Sequence, residues 1–389
     1  MIKVGLFNDS FPPLIDGVAN ATFNYADIIT KKYGMACAIV PRYPHVTDNY
    51  PFEVYRYSSI TQIGKMPYRI GNPFSPANIS DMRKKNFDIL HVHCPFASAV
   101  FARQINMRPK SKKAPMIFTY HTKFDIDLNR YVKNPQFNKV ARRFVVNNIS
   151  SMDDVWVVSE GAGQNLLDLG YKGEYIIMPN GTDFPKGKAD PDVINEIKRI
   201  YKLTDEFVFL FVGRMMWYKN LKLILDALKI VKDAGIKFKA FFVGDGGDAP
   251  AVAKYAKDIS INDRTEFVGA VFDRDKLKAY FSVADLLLFP STYDTSGLVV
   301  KEAAACECAS ILVRNSCASE GVEDGISGLL IDENSDDFAK KIIDACRASG
   351  FLQSLGKRAS DLIYLSWDDA VKKAVDRYHY VLENYKKRP

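Results

Sequence analysis

Two doubly wound α/β domains are what this sequence predicts, and three observations predict them. Twelve short apolar runs alternate along the chain with stretches whose apolar residues recur at helical spacing. A polar segment, residues 182–206, divides those runs into two series of six and is expected to be the linker between the domains. The length, 389 residues, exceeds what one ordinary core organises and suits two domains of roughly 150–200 residues.

In the first series, strands are expected at 2–8 (IKVGLFN), 35–40, 88–93, 115–120, 155–159 and 175–179. The helix after the first strand, VANATFNYADIITKKYG, is expected to close with Gly34 as its C-cap. In the second series, strands are expected at 207–213, 239–244, 265–269, 285–290, 309–313 and 328–332. Near-continuous apolar strands joined by helices imply parallel sheets covered on both faces. The expected layout is one Rossmann-like domain over 1–185, a second over 186–365, and a final helix in 366–389. That helix opens with Ser366 and Asp369 in capping-box spacing and, read from its residues, is a packing helix.

Composition narrows the function classes. Apolar content of 47% and charge of 25% are ordinary for a globular protein. No apolar run approaches the roughly 18 residues that would span a bilayer. Six cysteines are scattered without a CxxC pair, the pattern of reduced thiols in a cytosolic protein. Met1 runs straight into a strand, so no leader is expected. The expected location is cytoplasmic, with a peripheral position at the inner membrane face. Residues 1–185 hold 22 Lys+Arg against 15 Asp+Glu, a net of +7, while the remainder balances at 31 of each. A field concentrated on one domain favours an anionic partner.

In open α/β sheets, ligands bind at the carboxyl ends of the strands. The first strand leads into NDSFPPLIDGVAN, where Gly17 opens a helix and lets backbone approach a ligand, or is simply a turn residue. The strand FVFLFVG runs into Arg214, with Lys219 just before the next helix. A cation at a helix N-terminus opposes the macrodipole, so the pair makes sense around an anion such as a diphosphate. The alternative is two solvated surface cations.

The stretch YDTSGLVVKE (293–302) follows a buried strand and starts a helix near Gly297. The amides of Thr295, Ser296, Gly297, Leu298 and Val299 are then the unsatisfied donors of a helix start, open to a phosphate. Glu302 lies one turn in, on an apolar stripe with Leu298, Ala305 and Ala309, where an unpaired acid is costly. The hydroxyls of a ribose would satisfy it. Asp294 either caps the helix or faces the ligand beside the phosphates.

His121 ends the strand of TYHTKFDID, where its side chain either reaches a cleft between domains or is simply structural. His91 and His93 share one strand-end face with no third ligand in the pattern, so no metal site is read there. Two patterns are decoys. FVGDGGDA fits the GxGxxA dinucleotide fingerprint, but on the second βα unit of its domain rather than the first. Asp125 and Asp127 make a DxD that nothing else supports.

Taken together, D-x7-E at 294–302, GR-x4-K at 213–219 and PNGTD at 179–183 resemble the motifs of the retaining family-4 glycosyltransferases of GT-B fold. The resemblance spans essentially the whole chain. It implies two Rossmann-like domains facing an interdomain cleft, a nucleotide-diphospho-sugar bound by the C-terminal domain and an acceptor by the N-terminal one. It implies that the last helix crosses back to the N-terminal domain. Carried over by position, it makes Arg214 and Lys219 the diphosphate cations and Glu302 the ribose ligand. Asp294 stands where the family has a Glu that contacts the donor sugar. Thr295 to Val299 would supply amides, Gly17 would close over the donor, His121 would contact the sugar, and Gly269 and Val271 would lie by the base. This chain has Asp294-Thr295-Ser296-Gly297 where the family commonly shows Glu-Gly-Phe-Gly.

The implied reaction is transfer of a hexose from a UDP-sugar with retention, without a metal or a further cofactor. The segment FNKVARRFVVNNI (137–149) is amphipathic and basic, either a core-facing helix of the N-terminal domain or one that lies on an anionic membrane, and RPKSKK (108–113) is a second basic cluster. With the +7 excess they favour a membrane glycolipid or diacylglycerol acceptor, a saccharide being the other choice, and an anionic membrane surface as partner. Nucleic acid is not expected. The competing readings are a nucleotide-sugar epimerase and a non-catalytic sugar-nucleotide or membrane-binding protein of the same fold.

Overall fold

Strands that bury both faces pair in parallel here, as their composition requires. The computed structural model describes residues 1–14, 16–60 and 69–386. It contains two units: Met1–Asn180 together with the segment from Trp367 onward, and Gly181–Ser366.

The first unit is built on seven parallel strands: Ile2–Phe7, Gly34–Pro41, Glu53–Tyr57, Ile89–Val92, Met116–Tyr120, Asp154–Val157 and Ile176–Ile177. Counted along the chain, they lie side by side in the order 3-2-1-4-5-6-7. The second unit has six: Phe207–Val212, Phe238–Val243, Thr265–Gly269, Leu286–Phe289, Ala309–Val313 and Leu329–Ile331. Its order is 3-2-1-4-5-6. In both sheets the winding reverses between the first and fourth strands, and the crevice at that reversal is where doubly wound sheets place ligands.

Each sheet is sandwiched by helices around its own core. Phe7, Leu90, Val92, Phe118 and Val157 anchor the first, and Phe209, Phe211, Phe241, Phe242 and Phe289 the second. All twelve expected strands form. The strand Glu53–Tyr57 (EVYRY) was not expected, because Glu53 and Arg56 interrupt its apolar pattern. It sits at the sheet edge, paired on one side only, where charged residues are tolerated. Ser59–Ile60 and Ile70–Gly71 form a small antiparallel ladder beside it.

Three expectations change. Gly34 is not a helix cap: the helix Gly17–Lys32 ends at Tyr33 and Gly34 begins the next strand. A Cβ there would lie 2.0 Å from the carbonyl oxygen of Ile2, so strand contact, not a left-handed turn, demands glycine. Residues 182–206 are not a linker. They hold the helix Pro191–Tyr201, capped by Asp190, and Phe184 packs edge-on against Phe281 at 5.8 Å inside the second unit. The stripe drawn from Glu302 to Ala309 is cut short: the helix ends at Ala305, and Ala309 opens the expected strand Ala309–Val313.

The final helix, Trp367–Lys386, belongs to the first unit. Arg377 makes a two-pronged pair with Asp154 at 2.9 Å, Tyr378 stacks on Trp156 at 5.3 Å, and Lys373 reaches the carbonyl of Ile177 at 3.1 Å. Among the described residues, no helix is long and apolar enough to cross a membrane.

Candidate functional site

At the carboxyl edge of the second sheet, three neighbouring strands end in Gly213, Gly244 and Gly269, each at positive φ. Their loops touch through backbone: Gly213 N–H donates to Val243, and Gly244 N–H to Gly269. A Cβ on Gly244 would meet the Gly213 oxygen at 2.0 Å, and one on Gly246 the Met215 oxygen at 2.4 Å. The glycines of the dinucleotide-like pattern are thus needed for chain-to-chain approach, which accounts for them without a cofactor. Gly269 stands at this same edge, and Val271 packs partly against the core beside it.

The reversal point of this sheet lies between Phe207–Val212 and Leu286–Phe289, and the loops that follow those strands meet. Lys219 is buried, and its Nζ lies 2.5 and 2.6 Å from the two carboxylate oxygens of Asp294. The rings of Tyr218, Phe289 and Tyr293 surround the ammonium at 6.0, 5.8 and 5.7 Å. Asn220, at positive φ, ties the same corner to the carbonyl of Pro290 at 2.9 Å. Arg214, one residue beyond Gly213, is exposed. Of the two expected cations, one is therefore built into the loop junction and the other projects into solvent.

Asp294 is not a helix cap. The helix Leu298–Ala305 starts from Gly297 in the left-handed conformation, with no side-chain cap. Gly297 is required there twice over, by its φ of 52° and by the Cα of Ala318 only 3.0 Å from any added Cβ. An uncapped start beside Lys219 and Asp294 leaves first-turn amides without an acceptor inside the helix. Leu298 and Val299 open this turn behind the cap Gly297, and Thr295 and Ser296 form the bend that leads into it.

Glu302 has a partner that the sequence did not announce. Its Oε1 accepts from Arg274 Nη2 at 2.7 Å, and Arg274 also bonds Asp183 of PNGTD while its guanidinium lies 4.2 Å from the centroid of the Phe184 ring. Burial raises the Glu302 pKa above the usual range, against the pull of Arg274. Arg274 opens the helix Arg274–Val283, where a cation opposes the macrodipole. That anomaly is the signal that would have found it.

In the first unit, the loops after neighbouring strands bring His93 and His121 together. The rings stack with centroids 5.3 Å apart, and His93 Nδ1 hydrogen-bonds His121 Nε2 at 3.0 Å. His121 is thus the third imidazole that the HVH pattern lacked. The cluster is nonetheless no metal set, because His91 spends one ring nitrogen on Tyr378 at 2.6 Å and the other on Thr119 at 2.7 Å. Among the described residues, no group of three His, Cys, Asp or Glu is arranged to hold a metal. Burial drives the His121 pKa down to about 3, so the ring is neutral at physiological pH. Gly17 begins its helix behind the cap Asp16, whose carboxylate takes the amides of Val18 and Ala19 at 2.9 and 2.7 Å. Nothing lies within 4 Å of the Cβ direction at Gly17, so what it offers is open approach rather than bare amides. Asp125 accepts from Asn165 at 2.9 Å, and the side chain of Asp127 lies outside the described residues.

The basic segment forms the helix Pro135–Ser150. Asn138, Val145, Asn148 and Ile149 face inward, whereas Phe137, Val140 and Phe144 are 69%, 62% and 45% exposed. The apolar stripe thus points outward, with Lys139 and Arg143 also exposed.

Residues 16–184 match the family described as "Glycosyltransferase Family 4", and residues 193–361 match "Glycosyl transferases group 1". The alpha-monoglucosyldiacylglycerol synthase of Acholeplasma laidlawii is 23% identical over 373 residues, covering 92% of each chain. The synthase of the same name from Streptococcus pneumoniae is 24% identical over 355 residues, 90% of this chain and 79% of that one. Among solved structures, Anabaena HepE in complex with UDP superposes with a TM-score of 0.77 at 17% identity, covering 97% of this chain and all of the other.

Proposed function

The chain belongs to the family-4 glycosyltransferases of GT-B fold, and on that premise we propose that it moves a hexose from a UDP-sugar to a hydroxyl of diacylglycerol or a membrane glycolipid, with retention of configuration. The observation that carries this reading is the Lys219–Asp294 pair at the sheet reversal, beside the uncapped helix start at Gly297.

The diphosphate is the natural occupant of that corner. Amides from Thr295 to Val299 meet its oxygens at the helix start. Lys219 carries three N–H donors, so one remains for a phosphate while others hold Asp294. Arg214, exposed and one residue from the glycine corner, adds a planar fork. As the bond to the sugar breaks, negative charge grows on the leaving phosphate, and these fixed positive groups stabilise it. The reading assigns that task to protein groups and none of it to a metal. Glu302, oriented by Arg274, takes the ribose hydroxyls, and Gly269 and Val271 flank the base. The acceptor hydroxyl attacks the anomeric carbon from the face the diphosphate leaves, and a donor phosphate oxygen takes its proton. Asp294, held in place by Lys219, is assigned to the sugar. The resemblance assigns Gly17 and His121 of the first unit to the same donor. His121, being neutral, would serve as a hydrogen-bonding group and not as an acid.

Two features support the finer choices. HepE was crystallised with UDP, and the two relatives above are named for a glucosyl-diacylglycerol product. The outward stripe Phe137, Val140 and Phe144, flanked by cations, suits an anionic bilayer that supplies the acceptor.

The test is a nucleoside-diphosphate panel read by thermal shift, followed by UDP-hexose turnover with diacylglycerol in vesicles. UDP should stabilise the protein, chelation by EDTA should leave turnover unchanged, and Arg214→Ala and Glu302→Ala should each abolish turnover in folded protein. Phe137→Ser with Phe144→Ser should weaken vesicle binding at least about tenfold, since each buried phenyl contributes about 2 kcal/mol. No stabilisation by any nucleoside diphosphate sinks the donor assignment. Turnover without an acceptor points to an epimerase.

A further inference from the structure

The positive excess of the first unit is concentrated at an edge that the transfer reaction does not use. Arg83, Lys84, Arg108, Lys110, Lys112 and Lys113 line one cavity of about 1450 Å³. Asp88 and Pro115, also in its wall, immediately precede the strands Ile89–Val92 and Met116–Tyr120. The cavity therefore sits at the amino ends of those strands, whereas His121 and the loop to Gly17 follow carboxyl ends. Six cations against one acid line the wall, and of the six Lys84 is paired with Asp81 outside it at 3.4 Å, which leaves a net of +4 out of the +7 carried by residues 1–185.

The single acid is already committed. Asp88 Oδ2 accepts from the amide of Lys3 at 2.8 Å. Arg83 is likewise spent on carbonyls, those of Gln104, Ile105 and Met107, and gives the cavity a fixed charge. Arg108 hydrogen-bonds the Arg83 carbonyl at 3.2 Å and Asn86 at 3.4 Å, yet its Nε is buried and, among the described residues, has no acceptor. A buried donor left unsatisfied is costly, so Arg108 adds charge to the wall without a compensating acceptor at that atom. No ion pair of Lys110, Lys112 or Lys113 is found among the described residues. Burial and the adjacent Arg83 both depress the Arg108 pKa, the sign of like charges held together without a counter-ion.

We propose that this cavity is a second, non-catalytic binding site for a ligand bearing at least two phosphate groups. The cations converge from three directions: the end of the helix Pro76–Lys85, the end of the helix Ala97–Asn106, and the turn through Lys110–Lys112. The spread of these cations over three elements suits several phosphates rather than one. The same chemistry is offered by a phosphorylated lipid headgroup and by a soluble phosphate ester. The site stands independently of the glycosyl-transfer reading, because none of its residues belongs to the donor corner.

The test titrates inorganic tripolyphosphate into the whole protein by calorimetry, alongside co-sedimentation with cardiolipin/phosphatidylcholine vesicles, whose cardiolipin headgroup carries two phosphates. Three proteins are compared: wild type, the exposed triple variant Lys110→Gln, Lys112→Gln, Lys113→Gln, and Arg214→Ala. Circular dichroism and thermal melts confirm that each is folded. The triple variant should lose about tenfold or more in affinity, while Arg214→Ala retains the same event. Loss confined to tripolyphosphate identifies a soluble phosphate ester, and loss confined to the vesicles identifies a headgroup. The proposal is overturned if the triple variant binds both probes as wild type does. It is equally overturned if neither probe binds wild type, or if Arg214→Ala alone removes binding.

Discussion

The residues that matter most are charged or titratable groups placed where water is scarce. Arg274 holds two acids, Asp183 and Glu302, and Glu302 is only 16% exposed. Arg274→Ala should destabilise the second unit by about 1–2 kcal/mol at pH 7, the smaller end of buried-pair losses because Arg274 is 42% exposed. Glu302 already has a raised pKa, so the cost of burying it belongs to the ionised form. The deficit of the variant should therefore shrink as pH falls and Glu302 protonates, a trend read from urea midpoints at pH 7 and 4.5. The histidines shift the other way. Burial lowers the pKa of His91, His93 and His121, the last to about 3. The unfolded chain binds protons below pH 6.5 and the folded one does not, so stability is intact above that value and falls as pH drops toward 3. From pH 7 to 5.5 the first unit should lose about 1 kcal/mol per histidine, and denaturant melts that show no loss would contradict the buried, neutral cluster. Lys219 and Asp294 were legible as candidates because a cation at a helix start and an acid before a bare glycine turn each break a local rule. Their bond to each other was not, since 75 residues separate them and only the sheet order joins their loops. Arg274 broke the same rule as Lys219, yet it stands in a run, RDKLK, that reads as an ordinary solvated helix face.

At the scale of elements, the sequence carried the strands whose two faces are both buried and lost those that are not. Leu286–Phe289 is buried throughout and has no polar residue to confuse its reading. Glu53–Tyr57 is an edge strand with charges along it, and nothing local separates it from a loop. Two glycines show how element contacts decide a residue. Gly34→Ala should destabilise the first unit by about 3 kcal/mol or more, because its new methyl strikes the backbone of Ile2, which cannot withdraw from the sheet. Gly17→Ala should leave thermal stability level or raise it by about 0.5 kcal/mol, since the site is open and the helix gains a better residue. Under the donor assignment the same change should cut turnover, so a folded, stable and fully active Gly17→Ala would remove Gly17 from the donor. The helix Pro135–Ser150 is the instructive reversal. Its amphipathic pattern suits a core-facing helix equally well, but polar Asn138 and Asn148 turn inward, where Asn148 bonds the carbonyl of Pro95 at 2.8 Å.

At the scale of the whole molecule, the first unit is assembled from two distant pieces of chain and the second from one. Trp367, Val371, Ala374, Val375 and Tyr378 of the last helix are all buried in the first unit. Ending the chain after Ser366 should lower the first unit's unfolding midpoint sharply and leave the second unit's transition in place, with UDP still binding if the donor assignment holds. Two transitions resolved by denaturant would show it; equal loss in both would contradict the division. A ribosome delivers a chain from its first residue to its last, and the second unit has every residue it needs once Ser366 has emerged. The first unit, although made earlier, must wait with the faces of Trp156 and His91 uncovered until Tyr378 arrives. Nascent chains stalled anywhere in that interval hold an unfinished apolar surface in the older half. The half translated first is the half that closes last.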